Sequence, residues 1–586
     1  MKKYNNGEFR LKDAGNYFEV YGWVNKRRDM GGVIFVDLRD RSGMLQIVLN
    51  RDFLKDDFKV AETLKNEYCI KAYGKLEKRG EGLANPNLST GEVELIVENL
   101  EILSECDILP FNVYEDTNIN ENISLKYRYL DLRKERLQNT IMTRHKITSS
   151  IREYLNGEGF LDIETPILCK STPEGARDYI VPSRINKGSF YALPQSPQIC
   201  KQLLMVSGFE KYYQIAKCFR DEDLRADRQP EFTQIDMEMS FVTEEDVMNN
   251  TENLLKKVVK DVKGIDVPDF PRMPYKEAME RYGSDKPDTR FEMELLDLTE
   301  ILRGTQMNVF NNVISNGGIV KCLIVKNNGD KYSRSDVEHL TDFVKIYGAK
   351  GLAWLKYDND TFNGVIAKNL EEEKLELMRT TYNITNNDLV LIVADTPKIV
   401  YAALGALRLK LAKELNLIDE NKLNFLWVTE FPMYEYSESE KRYKSCHHPF
   451  TMPISVDKLS DYENCTAKAY DIVLNGYEVG GGSIRIHDPK VQAIVFKELG
   501  ISDEEAQKKF GFFIDAFKFG APPHGGLALG LDRLVMILCG TENIKDVIAF
   551  SKTQSASDLM MEAPSEVTLE QLKELGIKID VEEDNE

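Results

Sequence analysis

Five short β segments separated by glycine-rich turns occupy the first 105 residues, and they constrain the fold more than any other feature. The segments are rich in β-branched and aromatic residues and partly alternate in polarity, which is typical of strands. They span residues 17–24, 33–38, 44–49, 68–76 and 92–97, with one helical stretch at 56–66. This order predicts a small Greek-key barrel of the oligonucleotide-binding type, although a sandwich edge or an SH3-like barrel would give a similar pattern.

The pattern then changes to a helix followed by a long hairpin. Apolar residues at helical spacing run through Ile147, Ile151 and Leu155, and glycines follow. Residues 160–166 read as a strand that ends at a proline. Residues 212–220 and 231–241 alternate as two strands, and a charged loop joins them into a predicted hairpin.

A second set of elements interrupts the chain between residues 286 and 420. It contains a strand at 389–393 and a helix marked by leucines at helical spacing from 404 to 415. Because these residues separate chemically interesting segments on either side, we interpret 286–420 as an inserted α/β domain. The length of 586 residues agrees with several domains.

Charge and cysteine content exclude several classes of protein. The net charge is −20, which on composition alone argues against a nucleic-acid partner. Residues 1–80, however, carry 17 Lys/Arg against 12 Asp/Glu, and the last 25 residues carry nine acids and two lysines, as a solvated tail with one short helix would. The nine cysteines form no Cys-x-x-Cys pair, which disfavours a disulfide framework and a structural zinc site. The start of the chain has no apolar signal-peptide segment, and no apolar run is long enough to span a bilayer, so we expect a cytoplasmic protein without a membrane partner.

Three segments carry residue types suited to nucleotide chemistry, although the usual phosphate-binding loops are missing. Arg220 ends a predicted hairpin strand, where its planar fork could clamp a phosphate or carboxylate. Asp471 and Glu478 are spaced so that both carboxylates could reach one Mg²⁺. Residues 525–534 read as a glycine-rich strand that runs into a helix, with Arg533 near its start. Taken singly, each also has an ordinary interpretation as a surface ion pair, a solvated carboxylate pair or a packing contact.

In this order the segments resemble the three motifs of class II aminoacyl-tRNA synthetases. The matching segments are Ile163-Glu-Thr-Pro166, Phe219-Arg-Asp-Glu222 with Phe232-Thr-Gln-Ile-Asp236, and Gly530-Leu-Asp-Arg533. The segments 172–178, 195–201, 447–451 and 476–485 narrow the likeness to the bacterial aspartyl-tRNA synthetase family. The resemblance covers essentially the whole chain.

The resemblance implies a multidomain α+β protein with a definite domain order. The expected parts are an OB-fold anticodon-binding domain (1–107), a hinge (108–135), an antiparallel-sheet catalytic domain in two pieces (136–285 and 421–560), the inserted domain (286–420) and an acidic tail (561–586). It also implies a homodimer formed around Pro166 and a two-step reaction. ATP and L-aspartate give aspartyl-adenylate and pyrophosphate, and the aspartyl group then passes to tRNA(Asp), with release of AMP.

Residue roles follow from the resemblance alone. The catalytic residues would be Arg220, Glu478 and Arg533. ATP would be bound by Arg220, Asp221, Glu222, Gln229, Phe232, Glu478, Gly530, Leu531, Asp532 and Arg533, and Mg²⁺ by Asp471 and Glu478. Aspartate would be bound by Glu174, Gln198, Lys201, Arg220, Asp236, His447 and Arg485. Arg485 would be able to form a two-point fork with the side-chain carboxylate of the substrate, and His447 would be a loop contact over the bound amino acid.

The barrel would read the anticodon with Arg28, Phe35 and Gln46, with Arg79 a weaker candidate. The alternation of residues 33–36 leaves open whether Phe35 is core or surface. Met30 in the first loop bears on whether tRNA(Asn) is also charged, which stays open. Lysyl- and asparaginyl-specific relatives are alternatives that the insertion and the Lys201–Arg485 pair disfavour. A catalytically dead, RNA-binding relative is disfavoured because Arg220, Glu478 and Arg533 are all present.

Overall fold

The chain divides into two compact units. The computed structural model describes residues 2–114, 117, 119–171, 176–224 and 227–580. One unit comprises 1–142 together with 549–553 and 558–563, and the other comprises 143–548, 554–557 and 564–586. We describe each unit by itself.

The first unit contains a closed five-stranded barrel, which confirms the predicted OB-fold. Its strands are β1 (Tyr17–Asp29), β2 (Val33–Asp40), β3 (Gly43–Asn50), β4 (Cys69–Lys78) and β5 (Val93–Ser104), in the order β1-β2-β3-β5-β4. Two short helices, Arg51–Leu54 and Phe58–Thr63, connect β3 to β4, close to the helical stretch predicted there. Ile34, Val36 and Leu38 of β2 are fully buried, so alternate residues of this strand fill the barrel.

A buried carboxylate joins the barrel to the segment that was expected to be a hinge. Oε2 of the buried Glu67 accepts from Arg39 at 2.9 Å and from Arg133 at 2.5 Å. Arg133 also lies over the ring of Trp23, with 5.4 Å from its guanidinium carbon to the ring centroid. Two short helices, Glu121–Lys126 and Arg128–Asp131, lie in this segment. Residues up to 142 therefore belong to the barrel's unit.

An eight-stranded sheet forms the centre of the second unit. Its strands are β6 (Leu161–Asp162), β9 (Lys211–Phe219), β10 (Glu231–Ser240), β11 (Arg272–Pro274), β17 (Phe425–Thr429), β20 (Ala469–Leu474), β21 (Tyr477–Ile484) and β22 (His524–Gly530), and two small hairpins lie beside them, β7 (Ile180–Pro182) with β8 (Phe190–Ala192) and β18 (Tyr434–Ser437) with β19 (Arg442–Ser445). The order is β11-β17-β20-β21-β22-β10-β9-β6, antiparallel except for the outermost pair at each edge. The predicted hairpin at 212–241 is confirmed as β9 and β10.

The prediction of a strand at 160–166 is mostly wrong. Only Leu161–Asp162 pairs with β9, and it does so in parallel. The N–H of Ile163 still reaches the carbonyl of Tyr213 at 3.1 Å, but Pro166 has no N–H with which to continue the ladder. The strand therefore ends after two residues, at the edge of the sheet.

Helices pack on this sheet and bury its apolar face. They are Glu135–Gly157, Gln198–Val206, Glu244–Lys263, Tyr275–Tyr282, Pro489–Glu498, Asp503–Phe517 and Leu531–Cys539. In the long first helix Ile147, Ile151 and Leu155 are fully buried, as their spacing predicts. Thr243 starts the helix Glu244–Lys263 with a capping box that includes Asp246, and Gly264 ends it in the left-handed conformation.

The inserted residues form a sheet of their own. Its strands are β12 (Leu296–Asp297), β13 (Ile319–Val325), β14 (Ala353–Asp358), β15 (Thr361–Asn363) and β16 (Asp388–Asp395), in the antiparallel order β12-β13-β16-β14-β15. Helices Thr299–Leu302, Asn308–Ser315, Arg334–Lys345, Glu372–Thr381 and Pro397–Glu414 accompany it. The strand at 389–393 and the leucine-marked helix both occur as predicted. Buried Arg408 donates to the carbonyls of Phe291 and Met293, which ties this last helix to the start of the insertion.

The end of the chain carries one short helix, Leu569–Leu575, within the predicted acidic tail. Residues 581–586 of that tail lie outside the described residues. Within the described part, no helix has both the length and the apolar character needed to cross a bilayer.

Candidate active site

A cavity of about 670 Å³ opens over strands β10, β20, β21 and β22. Most of the sequence-predicted substrate residues line it: Gln198, Lys201, Arg220, Glu222, Gln229, Phe232, Asp236, His447, Asp471, Glu478, Arg485, Gly530, Asp532 and Arg533. They come from five separate stretches of sequence, and the sheet brings them to one surface because β10 and β21 both pair with β22.

Two of the predicted residues that the structure describes do not line this cavity. Asp221 pairs through its backbone with Arg177, and its half-exposed side chain does not line the cavity. Leu531 is 2% exposed and packs in the hydrophobic core, so its side chain has no access to a nucleotide. Glu174 lies outside the described residues.

Four charged side chains meet at the floor of the cavity. Lys201 Nζ lies 2.6 Å from Asp236 Oδ1 and 3.3 Å from Glu238 Oε2. Arg485 Nε donates to Glu238 Oε1 at 2.9 Å, and its Nη2 donates to Oε2 at 3.1 Å. All four are at most 2% exposed. Two cations and two anions therefore balance one another inside the protein, which buried charges require.

The protonation equilibria follow this arrangement. Burial would raise the pKa of Glu238, but the Arg485 and Lys201 cations outweigh it and lower the pKa. Burial raises the pKa of Asp236 despite Lys201, and its second oxygen, Oδ2, is buried without a hydrogen-bond partner. Asp236 thus keeps an acceptor that no described residue uses.

Glu238 is the main site residue that the sequence analysis missed. It follows Asp236 by two positions on β10, so both side chains lie on the same face of the strand. That period of two was the signal that could have found it. Gly526 on β22 lies opposite, and a Cβ at Gly526 would come within 2.0 Å of Glu238 Oε2. The glycine run of β22 therefore makes room for this carboxylate.

Arg485 forms a two-point fork with a carboxylate of the protein itself. Its Nε and Nη2 bind Glu238, while Nη1 contacts Ser483 Oγ at 2.6 Å and His448 Nε2 at 2.9 Å. Of the five guanidinium N–H groups, one on Nη2 stays available, and Lys201 likewise keeps one beyond its two acidic contacts. The pair thus presents two donors, one from each cation.

His447 and His448 form a fixed part of the wall. The backbone N–H of Phe450 points at His448 Nδ1 at 3.2 Å and Arg485 Nη1 lies 2.9 Å from its Nε2, so a doubly protonated ring would face two donors, whereas a neutral ring accepts from one of them. Burial, with a contribution from the Arg485 charge, lowers the pKa of His447 to about 4 and that of His448 well below its usual value. The expected contact loop is held by these interactions.

The other end of the cavity is lined by the aromatic ring of Phe232 and by two arginines, Arg220 and Arg533. The guanidinium carbon of Arg220 lies 5.1 Å from the ring centroid of Phe232, and Arg220 Nε is buried without a partner. Arg533 donates from Nη1 to the carbonyl of Glu478 and from Nη2 to Asp227 Oδ2 at 3.1 Å. Glu222 pairs with Arg228 at 3.1 Å on the cavity rim. A flat ring and a chain of anionic groups would find matching surfaces here.

Two carboxylates lie on the neighbouring strands β20 and β21, Asp471 opposite Gly481 and Glu478 opposite Val473. Asp471 lies within β20 rather than at its end, opposite Gly481, whose absent side chain leaves space for its carboxylate. Burial raises the pKa of Asp471 well above its usual value, and the charges of Glu478 and Asp285 raise it further. Glu478, Asp285 and Asp471 all line the cavity. This is a site with an excess of negative charge.

The predicted anticodon residues share one outer face of the barrel. Arg28 pairs with Phe35 across β1 and β2, and its Nη2 donates to Gln46 Oε1 at 3.0 Å. Gln46 in turn donates to Glu94 at 2.7 Å. Ile34 and Val36 are the buried residues of this strand, so Phe35 lies on the outside, which resolves the alternative left open by the sequence. Arg79 is buried and donates to the carbonyl of Val93.

The basic surplus of residues 1–80 does not extend to the whole barrel. Residues 81–107 add seven acidic and no basic residues, so the predicted domain carries 17 basic and 19 acidic residues. Any attraction for nucleic acid must therefore come from local groups such as Arg28.

Comparisons with known proteins agree with this architecture. Residues 120–554 match the family model described as tRNA synthetases class II (D, K and N), and residues 18–103 match the OB-fold nucleic acid binding domain. The solved asparaginyl-tRNA synthetases from Pyrococcus horikoshii and Entamoeba histolytica superpose with TM-scores of 0.59 and 0.58, at 18% identity in each case. They cover 94% and 92% of this chain and 98% and 96% of their own, and at this identity they establish the fold alone. The fold is that of a class II tRNA synthetase.

Sequence relatives are more specific. The aspartate--tRNA ligase of Staphylococcus carnosus is 59% identical over 570 residues, covering 96% of this chain and 97% of the relative. That of Staphylococcus aureus strain NCTC 8325 is 57% identical with the same coverage. The chain belongs to the aspartate–tRNA ligase family, and the resemblance seen in its motifs is confirmed.

Proposed function

We propose that this chain attaches L-aspartate to tRNA(Asp) in two steps, through aspartyl-adenylate. The observation that carries the proposal is the buried pair Lys201 and Arg485 on the floor of the cavity. Each offers one remaining N–H, and a carboxylate with two oxygens accepts both. An asparagine side chain would point its NH₂ group at one of these cations. A donor would then face a donor, and a buried N–H group would be left without a hydrogen bond, which is unfavourable.

The α-ammonium group of aspartate would bind at Asp236. Its Oδ2 is buried and unpartnered, and it lies on the same strand as Glu238, which faces the cation pair. Gln198, with a buried unpartnered amide nitrogen, would complete the polar contacts, and His447 would close the wall. A substrate with an ammonium and a carboxylate at opposite ends matches this polarity.

ATP would occupy the other end of the cavity. The adenine would stack on Phe232, with Glu222 and Gln229 beside the nucleotide and Gly530 lining the cavity at the end of β22. Arg220 would bind the substrate carboxylate and the α-phosphate, and Arg533 the γ-phosphate. Because attack on the α-phosphate involves no covalent bond to the enzyme, these residues act by orienting the reactants and stabilising charge.

Asp471 and Glu478 fit the Mg²⁺ that ATP brings. Burial raises the pKa of Asp471, and the charge of the partly buried Glu478 raises it further, so a cation would stabilise the pair; carboxylate oxygens are the ligands that Mg²⁺ prefers. When bound, the ion would neutralise part of the charge on the phosphates. Arg220 and Arg533 would hold the phosphates in line for the attack.

The barrel face would read the anticodon of tRNA(Asp). Phe35 offers a partly exposed ring for stacking, and Arg28 and Gln46 offer hydrogen-bonding edges beside it, which is how single-stranded RNA is recognised. Met30, 74% exposed at the tip of the β1–β2 loop, lies next to this face in the chain. Charging of tRNA(Asn) is therefore measured alongside charging of tRNA(Asp).

A second copy of the chain would cover an apolar surface near Pro166. Exposed apolar side chains gather there from β6 to β8: Leu161, Ile167, Leu168, Ile180, Phe190 and Tyr191, each at least 39% exposed. Such a patch on a single chain marks a contact surface. Sedimentation of the wild type and of Leu168→Glu tests the homodimer, and a wild type that sediments as a monomer contradicts it. We place this activity in the cytoplasm, where tRNA is charged for translation.

The deciding experiment is ATP–pyrophosphate exchange with aspartate, asparagine or lysine as the amino acid. We expect exchange with aspartate alone, and its loss in Arg485→Leu. Arg442→Leu, which removes an exposed arginine paired with Glu440, is the matched control and should keep full exchange. Since Arg485→Leu leaves Glu238 with one buried cation instead of two, its unfolding is measured in parallel, and Arg485→Lys tests the site with the charge retained. Exchange with asparagine equal to that with aspartate would contradict the proposal. Charging of tRNA(Asp) and tRNA(Asn) transcripts then defines the RNA partner.

A further inference from the structure

Asp532 was expected to contact ATP, but both of its oxygens are already bound inside the protein. Oδ2 accepts the backbone N–H of Thr233 at 2.7 Å, and Oδ1 lies 2.5 Å from Arg144 Nη1. The residue is 3% exposed, in the first turn of the helix Leu531–Cys539. Its carboxylate therefore links β10, that helix and the long helix Glu135–Gly157.

The bond to Thr233 continues the sheet where the sheet ends. Strand β22 pairs with β10 as far as Gln234 opposite Gly530, after which the chain turns into the helix. The next residue of β10, Thr233, has lost its strand partner on that side, and the Asp532 carboxylate takes the place of the missing carbonyl. Asp532 therefore fixes the end of β10 beside Phe232, whose ring lines the cavity.

Arg144 is what keeps this carboxylate in place. Its Nη1 contacts Asp532 Oδ1 and also donates to the carbonyl of Val547 at 3.1 Å, so the guanidinium is held at a fixed point. Its side chain is 20% exposed, and it does not line the cavity. Without this cation the buried carboxylate would keep no ion pair with any residue that the structure describes, and it would turn toward water.

We propose that Arg144 is a positioning residue for ATP, which acts through Asp532 to set Phe232 and Arg533 in the geometry that binds the nucleotide. Arg533 directly follows Asp532 in the first turn of its helix, and Phe232 directly precedes Thr233. The aspartate end of the cavity rests on Lys201, Glu238 and Arg485, none of which contacts this link. The inference rests on the proposed function, because its readout is ATP use in adenylation.

The test is a double-mutant cycle read by ATP–pyrophosphate exchange. We expect Arg144→Met to raise the KM for ATP by about tenfold or more, while the KM for aspartate stays within about twofold. Arg144→Lys, which retains a cation, should recover part of the loss. In an Asp532→Asn background no buried charge needs Arg144, so adding Arg144→Met should have little further effect.

Arg152→Met is the matched control, since Arg152 lies on the same helix and is half exposed, 3.6 Å from Asp162. It should leave both KM values unchanged. An unchanged KM for ATP in Arg144→Met, equal rises for both substrates, or full additivity in the cycle would overturn the inference. If Arg144→Met does not fold, the KM values for ATP and for aspartate are compared in Arg144→Lys and Asp532→Asn instead, and the same outcomes decide. A wild type without aspartate-dependent exchange would instead overturn the proposed function.

Discussion

Glu238 binds Arg485 through two parallel hydrogen bonds, from Nε to Oε1 at 2.9 Å and from Nη2 to Oε2 at 3.1 Å, with both side chains buried. The same carboxylate lies 3.3 Å from Lys201 Nζ. One anion therefore orients both cations proposed to select aspartate. The proposed selection of aspartate then depends on a carboxylate that does not itself line the cavity.

Glu238→Gln should weaken both the fold and aspartate binding. The amide keeps the shape but removes the charge, which leaves two buried cations with one anion. Breaking a buried pair in this way costs about 3–5 kcal/mol of unfolding free energy. Chemical denaturation and the KM for aspartate are the measurements. Glu244→Gln is the control, because Glu244 pairs at 3.5 Å with Lys468 at a site where both are about one-third exposed, and it should change stability by less than about 1 kcal/mol. Equal effects in the two variants would contradict the role of Glu238.

Gly526→Ala should disrupt the same network from the opposite strand. A Cβ would lie 2.0 Å from Glu238 Oε2 and 2.1 Å from the carbonyl of Met237, and the backbone carbonyl cannot move away. We expect a loss of about 3 kcal/mol or more, together with a higher KM for aspartate. Gly157→Ala adds the same methyl group where nothing lies within 4 Å, and it should stay within about 1 kcal/mol of the wild type. A fully stable Gly526→Ala protein would show that the carboxylate can be placed elsewhere.

His447 should make stability fall as the pH is lowered. Burial and the Arg485 charge lower its pKa to about 4, against about 6.5 in the unfolded chain. Below pH 6.5 the unfolded state binds the proton first, so the contribution is complete above that pH and is lost as the pH falls toward 4. The full difference is about 3 kcal/mol at most.

Replacing this histidine isolates its effect. His447→Asn should flatten the dependence of the unfolding free energy on pH between 6.5 and 4. His339→Asn, at an exposed position on the helix Arg334–Lys345 of the insertion, should leave the slope unchanged. An unchanged slope in His447→Asn would mean that other groups carry the acid sensitivity.

Local patterns predicted the elements that satisfy their own hydrogen bonds nearby. The barrel strands, the β9–β10 hairpin and the helix Pro397–Glu414 each show a clear period and clear ends in the sequence. The segment 160–166 has a strand-like composition too, but its pairing depends on the position of β9, about 50 residues further along the chain. No local pattern reports such a distant partner.

The residue types of the site could be predicted from the sequence, but the hydrogen-bond partners of those residues could be predicted less well. Arg485 and Lys201 were found from their resemblance to a family position, but the partner of the Arg485 fork was not. Which acceptor a buried arginine uses depends on the strand opposite, here β10, and a linear motif does not contain that pairing. Asp532 illustrates the same limit, since its role is set by Thr233 and Arg144, which lie 299 and 388 residues away in sequence.

Phe35→Ala should separate tRNA recognition from adenylation. Phe35 lies on the outer face of β2 beside Arg28, and removing a ring that stacks on a base costs about 1–3 kcal/mol. The KM for tRNA(Asp) in charging should therefore rise by roughly 5- to 150-fold, while ATP–pyrophosphate exchange without tRNA should not change. Tyr73→Ala is the control, because it removes a 40% exposed ring that stacks on Tyr17 at the β1–β4 side of the same barrel. If both variants lose tRNA equally, the recognition surface extends around the barrel; if neither does, Phe35 is not part of it.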